Sequence, residues 1–438
     1  MKICVFFGAM LLALSIPSSL PAAVESNQSN QVDQLATQRV VYMMNLVSNA
    51  MYNAATAENH SNNVILASLN LLLPLAELFY STNADFKNNI NASYQFTFDI
   101  DLSKQFIHKI ILNLYYAQSD KVRFFNNLYY QQGLTLKQNF LDIAKDDFKS
   151  IEPQSVDFNA LQFVEEFNQF IYNHTNGFIN NFLQHDDVKN AGLVQQYIGY
   201  SDLEFENKFN LLPELGVFKN KDNFEESAQF LILNETLKHG SLNNSKASWV
   251  EIPLKNKAFS LYFVAFGDQD NFESFEKNIG RFDPLNHPYN DSPLSVKLPV
   301  FNINSSLDMT EIIKEAKLGE VYNNVGGVFV NSTLTTDKIF EIASAKLSDI
   351  SLQLSTVSTV INGMVAHESN PSQNQVDRSQ FLNSTSFKSS ADDTQTEIVF
   401  DKPFIILLFD AKTRVQALYA SVNNMNGPKL NNNSGSSN

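Results

Sequence analysis

Apolar residues recur at intervals of three and four positions in the first part of the chain. Between residues 39 and 53 they are Val41, Met44, Val47 and Met51. This is the spacing of a helix that buries one face. Apolar stretches of helical character follow at Ile65–Phe79, Phe140–Phe148 and Phe163–Ile171. The first third of the chain is therefore predicted to be mostly helical.

The apolar pattern changes in the second half. Alternating or short continuous apolar runs, which are typical of strands, occupy Trp249–Pro253, Phe259–Phe266 and Leu294–Phe301. Two further runs, Phe404–Phe409 and Val415–Val422, are separated by a short polar link and predict a hairpin. Helices early in the chain and strands late in it predict an α+β fold.

Polar residues dominate three segments. Residues 24–38 and 425–438 are predicted to be mobile ends of a core that spans residues 39–424. The internal segment Glu368–Thr396 is rich in Ser, Asn, Gln, Asp and Thr and has no sustained apolar period. A structureless loop longer than about 15 residues is usually functional or disordered. A tolerated surface insertion explains the same composition equally well.

Composition and charge narrow the classes of function. The 438 residues are 44% hydrophobic and 12% aromatic, and their formal net charge is −15. This composition predicts a packed globular protein. The acidic chain has no run of lysine and arginine that would attract phosphates or sulfates. Nucleic acid, heparin-like polyanions and anionic membranes are therefore not expected as partners.

The N-terminus has the pattern of a secretory signal peptide. Lys2 precedes the apolar stretch Ile3–Ile16, and small residues end at Ala23. We expect residues 1–23 to be removed and the protein to be secreted into the extracellular space. Removal also takes away Cys4, the only cysteine in the chain, so no disulfide or thiol chemistry is expected. The apolar stretch Val64–Tyr80 contains Pro74 and Glu77, which disfavour a membrane span.

Eleven Asn-x-Ser/Thr sequons agree with export and predict a glycoprotein. An asparagine-rich chain also produces such motifs by chance. The candidate glycosylation residues are Asn91, Asn173, Asn234, Asn304, Asn331 and Asn383.

The sequence lacks the commoner enzyme motifs. It has no Gly-x-Ser-x-Gly, no phosphate-binding loop, no dinucleotide glycine pattern and no His-Glu-x-x-His helix. The cluster His185-Asp186-Asp187 is interpreted as a solvated helix end, because adjacent residues on a helix do not converge on one point. We therefore expect no catalytic residues, no metal and no cofactor.

Several separated segments, taken in order, resemble the serpin family of serine protease inhibitors. Asn127-Leu128-Tyr129-Tyr130-Gln131-Gln132-Gly133 and Asn168-Gln169-Phe170 are similar to two family motifs, although Phe170 stands where the family usually has Trp. Val250-Glu251-Ile252-Pro253, Val296–Phe301 and Glu397–Phe404 are similar to three strand motifs of the family. The order and spacing match over roughly residues 39–424.

The resemblance implies one domain with three β-sheets, about eight to nine helices and an exposed reactive loop at about residues 364–396. In the family, a protease cleaves this loop, which then inserts as a central strand of the main sheet and traps the acyl-enzyme. The implied partner is an extracellular serine protease or another secreted protein, and we expect a monomer.

The candidate hinge residues are Asn362, Gly363, Met364, Ala366 and Glu368. If Gly363 is the hinge glycine, Met364, Ala366 and Glu368 would enter the core. Met364 is bulky where the family prefers a small residue, and a buried Glu368 would lack a partner. Pro371, which lacks an N–H, does not suit a central strand. These departures predict a non-inhibitory binder or decoy.

The region where the family's sheet opens also departs from the family pattern. Ala67 and Asn70 replace serines there, and Tyr197 lies near the usual position of a gating Asn. The alternative function is a working suicide inhibitor, with Arg378 or Lys388 as the bait residue for a trypsin-like pocket. For both bases, solvated charges of a polar loop are the favoured interpretation.

Overall fold

The computed structural model describes residues 22–59, 61–81, 100–242, 246–279, 282, 284, 287–315, 326–364, 389–390 and 396–425. Most of the predicted signal peptide and of the C-terminal tail lies outside these ranges. Within the described residues no helix is sufficiently long and apolar to cross a membrane.

Eight α-helices are described. Their bounds are α1 Ala22–Glu58, α2 Ser68–Ser81, α3 Ile100–Tyr116, α4 Gln138–Asp142, α5 Leu161–His174, α6 His185–Val188, α7 Gln269–Glu276 and α8 Met309–Glu315. A π-helix, Ile143–Asp147, continues α4. Helix α1 runs through the polar segment 24–38, so the structure gives a helix where the sequence predicts a mobile end.

Sixteen strands are described. Strands β1 to β8 are Val64–Leu66, Val122–Gln131, Gln154–Val156, Ala191–Glu204, Asn210–Lys219, Glu225–Leu242, Ala247–Ile252 and Phe259–Phe266. Strands β9 to β16 are Asn290–Pro299, Asn302–Asp308, Leu334–Leu347, Ser351–Met364, Ser389–Ser390, Glu397–Val399, Phe404–Asp410 and Gln416–Val422. The predicted hairpin is confirmed as β15 and β16. The predicted helix Ile65–Phe79 is corrected at its start, because Val64–Leu66 pairs with β16.

The smaller sheet has six strands in the order β10-β11-β12-β4-β2-β3. Strands β11 and β12 form a long antiparallel pair joined by a turn at Ser348–Ile350. Strand β12 also pairs along its length with β4, so it lies in the middle of the sheet.

The larger hydrogen-bonded sheet has ten strands, and the 18-residue strand β6 connects its two regions. One region contains β5, β9 and β14 beside β6, and the other contains β7, β8, β15, β16 and β1. The tenth strand, β13, pairs with the end of β6 at Ser241 and Leu242. With the six-stranded sheet, these regions make up the three-sheet α+β architecture that the sequence predicts.

The core fills the space between the sheets. Leu69 and Leu73 of α2 pack there with Leu354 of the smaller sheet and Phe263 of the larger sheet. On the opposite face of the smaller sheet, the buried side of α5 packs on β12 and β4. Helix periodicity dictates this contact, because the buried residues of α5 recur at intervals of four.

Candidate functional site: the central strand β12

Strand β12 is hydrogen-bonded on both edges. Its first residues, Ser351 and Leu352, lie opposite Glu204 and Leu203 of β4. At its far end Gly363 pairs with Thr335 of β11. A strand paired along both edges has no unused row of backbone donors and acceptors, so β12 is an integral part of this sheet.

Apolar side chains of β12 are buried on both faces of the sheet. Leu352 and Leu354 join the core between the sheets, and Val357 and Ile361 pack under α5. Val360 is also buried. Apolar burial on both faces is typical of a central strand and is unfavourable for a segment held in water.

The polar side chains of β12 have specific partners on neighbouring elements. Asn70 Nδ2 of α2 donates to Thr356 Oγ1 over 2.8 Å. Thr336 Oγ1 of β11 donates to Asn362 Oδ1, also over 2.8 Å. Ser355 Oγ donates to the Thr175 carbonyl beyond α5 over 3.4 Å. Each bond is made only while β12 occupies this position.

Glycines on the neighbouring strand make room for β12. A Cβ atom on Gly199 of β4 would lie 2.7 Å from Thr356 Oγ1, the residue directly opposite. A Cβ atom on Gly192 would lie 2.9 Å from the Met364 Cγ atom. Strand β4 therefore lacks side chains at two places where β12 carries them, which is the complementarity of a native contact.

A row of polar side chains crosses the sheet at its centre. Glu341 of β11 lies opposite Ser358 of β12, Ser358 opposite Tyr197 of β4, and Tyr197 opposite Asn126 of β2. Ser358 Oγ donates to Glu341 Oε2 over 2.6 Å, and the Ala67 N–H donates to Glu341 Oε1 over 2.7 Å.

Tyr197 connects this row to a second buried carboxylate. Its hydroxyl donates to Glu77 Oε2 of α2 over 2.9 Å. Gln195 Nε2 donates to the same oxygen over 2.9 Å, and Ser150 Oγ donates to Oε1 over 2.8 Å. Ala67, Asn70 and Tyr197, three residues that depart from the family pattern in the sequence, thus lie in a network of hydrogen bonds around two acids.

Burial dominates the electrostatics of the two acids. Both side chains are fully buried. Burial raises the pKa of Glu341 to about 7, against the opposing effect of the Ser358 and Ala67 hydrogen bonds. Burial also raises the pKa of Glu77, although hydrogen bonds from Ser150, Tyr197 and Gln195 oppose it. Among the described residues, no basic group contributes to either pKa shift.

The candidate hinge residues that are described lie at the end of β12. Asn362 and Gly363 are buried within the sheet, and Met364 is 49% exposed. A Cβ atom on Gly363 would lie 2.1 Å from Asp337 Oδ2, so Asp337 covers this glycine. The sequence interpretation starts the inserting segment at Gly363. In the structure Gly363 is the next-to-last residue of a strand that begins at Ser351.

The remaining predicted site residues are placed as follows. Asn173, Asn234 and Asn331 are exposed, and Asn304 is partly buried. The hinge candidates Ala366 and Glu368, the bait candidates Arg378 and Lys388, and the sequons at Asn91 and Asn383 lie outside the described residues. The described residues contain no cluster of acids, histidines or cysteines that could hold a metal ion.

The apolar pattern of the sequence does not predict β4, β11 or β12, so it does not predict the polar row either. The available signal was the β-branched run Ser-Thr-Val-Ser-Thr-Val-Ile ending at Ile361, because Val, Ile and Thr favour strands.

The fold is α+β. Its six-stranded sheet has β12, which precedes the predicted loop, at the centre, and β6 connects the two regions of its larger sheet. This combination defines a class of protein. Residues 43–425 match the family Serpin (serine protease inhibitor). The chain belongs to the serpin family.

Individual relatives share the fold at low sequence identity. Antichymotrypsin-2 of Bombyx mori is 20% identical over 281 residues, which cover 63% of this chain and 74% of the relative. The structure of cleaved Serpin 42Da superposes with a TM-score of 0.75 at 15% identity and covers 89% of this chain and 100% of its own. A loop-inserted, cleaved ovalbumin mutant gives a TM-score of 0.72 at 13% identity, covering 88% of this chain and 99% of its own.

Proposed function

We propose that this chain is a secreted serpin that works by reversible binding of an extracellular partner, as a binder or decoy, without trapping a protease covalently. The observation that carries this proposal is the position of β12. The strand is fully paired within the sheet although the chain is continuous from β12 to β14. A sheet that already holds its central strand has no insertion left for a protease to trigger.

The apolar content of β12 supports insertion before any cleavage. Leu352, Leu354, Val357, Val360 and Ile361 are all nearly inaccessible to water. Burying such side chains stabilises by about 1.5 to 3 kcal/mol each. Keeping the whole segment in water would therefore forfeit about 10 kcal/mol, which favours the inserted position in the uncut protein.

The length of the connection supports the same conclusion. Strand β12 has 14 residues, so it spans about 45 Å. The connecting residues 365–396 can extend to about 100 Å. The chain returns to the larger sheet at β13, beside Ser241 and Leu242, and at β14, beside β9. A connection of this length lets β12 occupy the sheet while β14 stays paired, so cleavage is not needed to release tension.

The proposed extracellular location follows from the N-terminal sequence and the sequons. Asn173, Asn234 and Asn331 are exposed and can accept glycans if the chain is exported. We place the partner-binding function in the polar segment between β12 and β14 because it is the longest polar stretch of the chain and joins both sheets.

The second candidate function is suicide inhibition with Arg378 or Lys388 as bait. The fit of β12 favours it, because the Thr356, Ser358 and Asn362 side chains all have partners in the inserted position. In that case β12 would leave the sheet in the active protein and return after cleavage.

Incubation with trypsin-like and chymotrypsin-like proteases separates the two functions. We expect cleaved products without a complex that survives boiling in detergent, and less than about 3 °C change in the melting temperature of the nicked protein. A detergent-resistant complex that disappears in Arg378→Ala or Lys388→Ala would establish the inhibitor function instead.

Leu352→Ala tests the position of β12 directly. If β12 is seated in the uncut protein, the variant loses about 2 to 5 kcal/mol of unfolding free energy in urea, because it leaves a cavity in the core. The matched control is Leu215→Ala on β5, where the side chain is 66% exposed. Equal, small effects of the two substitutions would place β12 outside the sheet before cleavage.

A further inference from the structure

We propose that Glu341 and Ser358 form a proton-linked latch, which holds β12 in the sheet more firmly at acidic pH than at neutral or alkaline pH. The latch goes beyond the proposed binding function, although both rest on β12 lying in the sheet.

The geometry couples one carboxyl group to three elements. Glu341 belongs to β11, and it accepts hydrogen bonds from Ser358 of β12 and from the Ala67 N–H, which immediately precedes α2. If β12 leaves the sheet, Glu341 loses Ser358 and gains access to water through the vacated position. The protonation of Glu341 and the position of β12 are therefore linked.

No cation compensates Glu341 within the described residues. Its neighbour on β10 is Leu307, its neighbour on β12 is Ser358, and β1 is apolar. The nearest titratable groups facing this row are Tyr197 of β4 and Glu77 of α2, which bond to each other. A second buried acid adds no positive charge, so ionisation of Glu341 remains unfavourable while β12 is seated.

The direction of the effect follows from the pKa of Glu341. Burial raises it from the ordinary 4.5 to about 7 when β12 is in place, and exposure to water would return it towards 4.5. The seated state therefore binds a proton more tightly than the released state. Its advantage is complete below about pH 4.5 and is lost as the pH rises towards 7. The equilibrium between the two states should change on the order of 100-fold over this range.

Hydrogen exchange of the β12 amides, corrected for intrinsic exchange rates, tests the latch between pH 5 and 8.5. We expect protection of residues 351–364 to decrease on the order of 100-fold as the pH rises from 5 to about 7, and to stay level above that pH. Glu341→Gln should make protection independent of pH, because the amide does not titrate. Its oxygen can accept from the Ala67 N–H, and its NH2 group can donate to the Ser358 hydroxyl, which then acts as the acceptor. Glu225→Gln, which changes an exposed carboxylate on β6, should leave the wild-type profile unchanged.

A second variant identifies the role of the serine. Ser358→Ala removes a hydrogen bond that lowers the pKa of Glu341, so the loss of protection should move to higher pH. Unchanged pH dependence in Glu341→Gln, or its disappearance in Glu77→Gln instead, would overturn the latch.

Measurements on both intact and nicked protein separate this inference from the proposed function. Protection of β12 only after nicking, with the Glu341-dependent pH profile, would overturn the binding function and leave the latch standing. Equal protection of β12 in both forms, with no change between pH 5 and 8.5, would overturn the latch and leave the binding function standing.

Discussion

Two of the regions that bury carboxylates in this protein surround them with different partners. In the first, Glu276 of α7 lies 3.4 Å from Lys221 Nζ, and both side chains are nearly inaccessible to water. Tyr52 of α1 donates to Glu276 Oε1 over 3.2 Å, and Lys221 lies over the Phe272 ring. In the second, the hydrogen-bond donors to Glu341 and Glu77 within the described part of the chain are all uncharged.

The two regions differ in the partner of the acid: Glu276 has a lysine, whereas Glu341 has a serine of the strand β12. The Lys221–Glu276 pair joins α7 to the connection between β5 and β6, and Tyr52 adds α1; none of these three groups belongs to β12. Burial raises the pKa of Glu276, but Lys221 counteracts it. Among the described residues no basic group offsets the burial of Glu341 or Glu77, and one of the donors to Glu341, Ser358, belongs to β12.

The largest expected effect comes from removing the cation. Lys221→Met leaves Glu276 buried without a charged partner and should lower the unfolding free energy by about 3 to 5 kcal/mol at pH 8. The loss should be smaller at pH 5, because the variant raises the pKa of Glu276 and the acid then takes up a proton. Urea unfolding at both pH values measures this.

The control for the buried pair is the exposed pair Lys257–Glu206, whose atoms lie 2.8 Å apart. Lys257→Met should change stability by less than about 1 kcal/mol. Equal effects of the two lysine substitutions would show that burial does not distinguish the pairs.

The sequence predicted the parts of the fold that periodicity encodes. The apolar intervals of α5 and the hairpin of β15 and β16 follow from residues close together in the chain. The ordered motifs predicted the serpin architecture, and the family match establishes it. Such local patterns were sufficient for α2, α5 and the strands β7, β8, β9, β15 and β16, but they did not predict α3, α7, α8, β5 or the long strand β6.

The candidate site depends on contacts that the sequence does not display. Strand β12 mixes serine and threonine with aliphatic residues, so it shows neither clear alternation nor a continuous apolar run. Its polar residues are satisfied by distant ones such as Asn70 and Glu341. A glutamate is seldom fully buried. Without the sheet register, Glu341 would therefore be predicted to lie on the surface.

A smaller effect is expected where β4 accommodates β12. Gly199→Ala places a Cβ atom 2.7 Å from Thr356 Oγ1 and should lower the unfolding free energy by about 2 kcal/mol. Combining it with Thr356→Ala should recover part of the loss, because the clashing oxygen is then absent. Thermal or urea unfolding of the single and double variants measures the coupling.

Gly267→Ala is the matched control, because its added Cβ atom would lie 3.6 Å from the Lys246 carbonyl oxygen, an ordinary van der Waals distance. We expect a change below about 1 kcal/mol. Strictly additive effects of Gly199→Ala and Thr356→Ala would contradict the contact between β4 and β12 in the uncut protein.

The smallest effect, and the one most specific to uncompensated acids, is expected from Tyr197→Phe. This change removes one of the donors to Glu77 without creating a large cavity, and the loss should be about 1.5 kcal/mol at pH 8. It should shrink at acidic pH, because the tyrosine hydroxyl lowers the pKa of Glu77 and stabilises its ionised form. Tyr172→Phe, at an exposed position of α5, is the control. A loss that does not vary with pH would mean that Glu77 stays neutral beside β12, and the contrast with Glu276 would then rest on Glu341 alone.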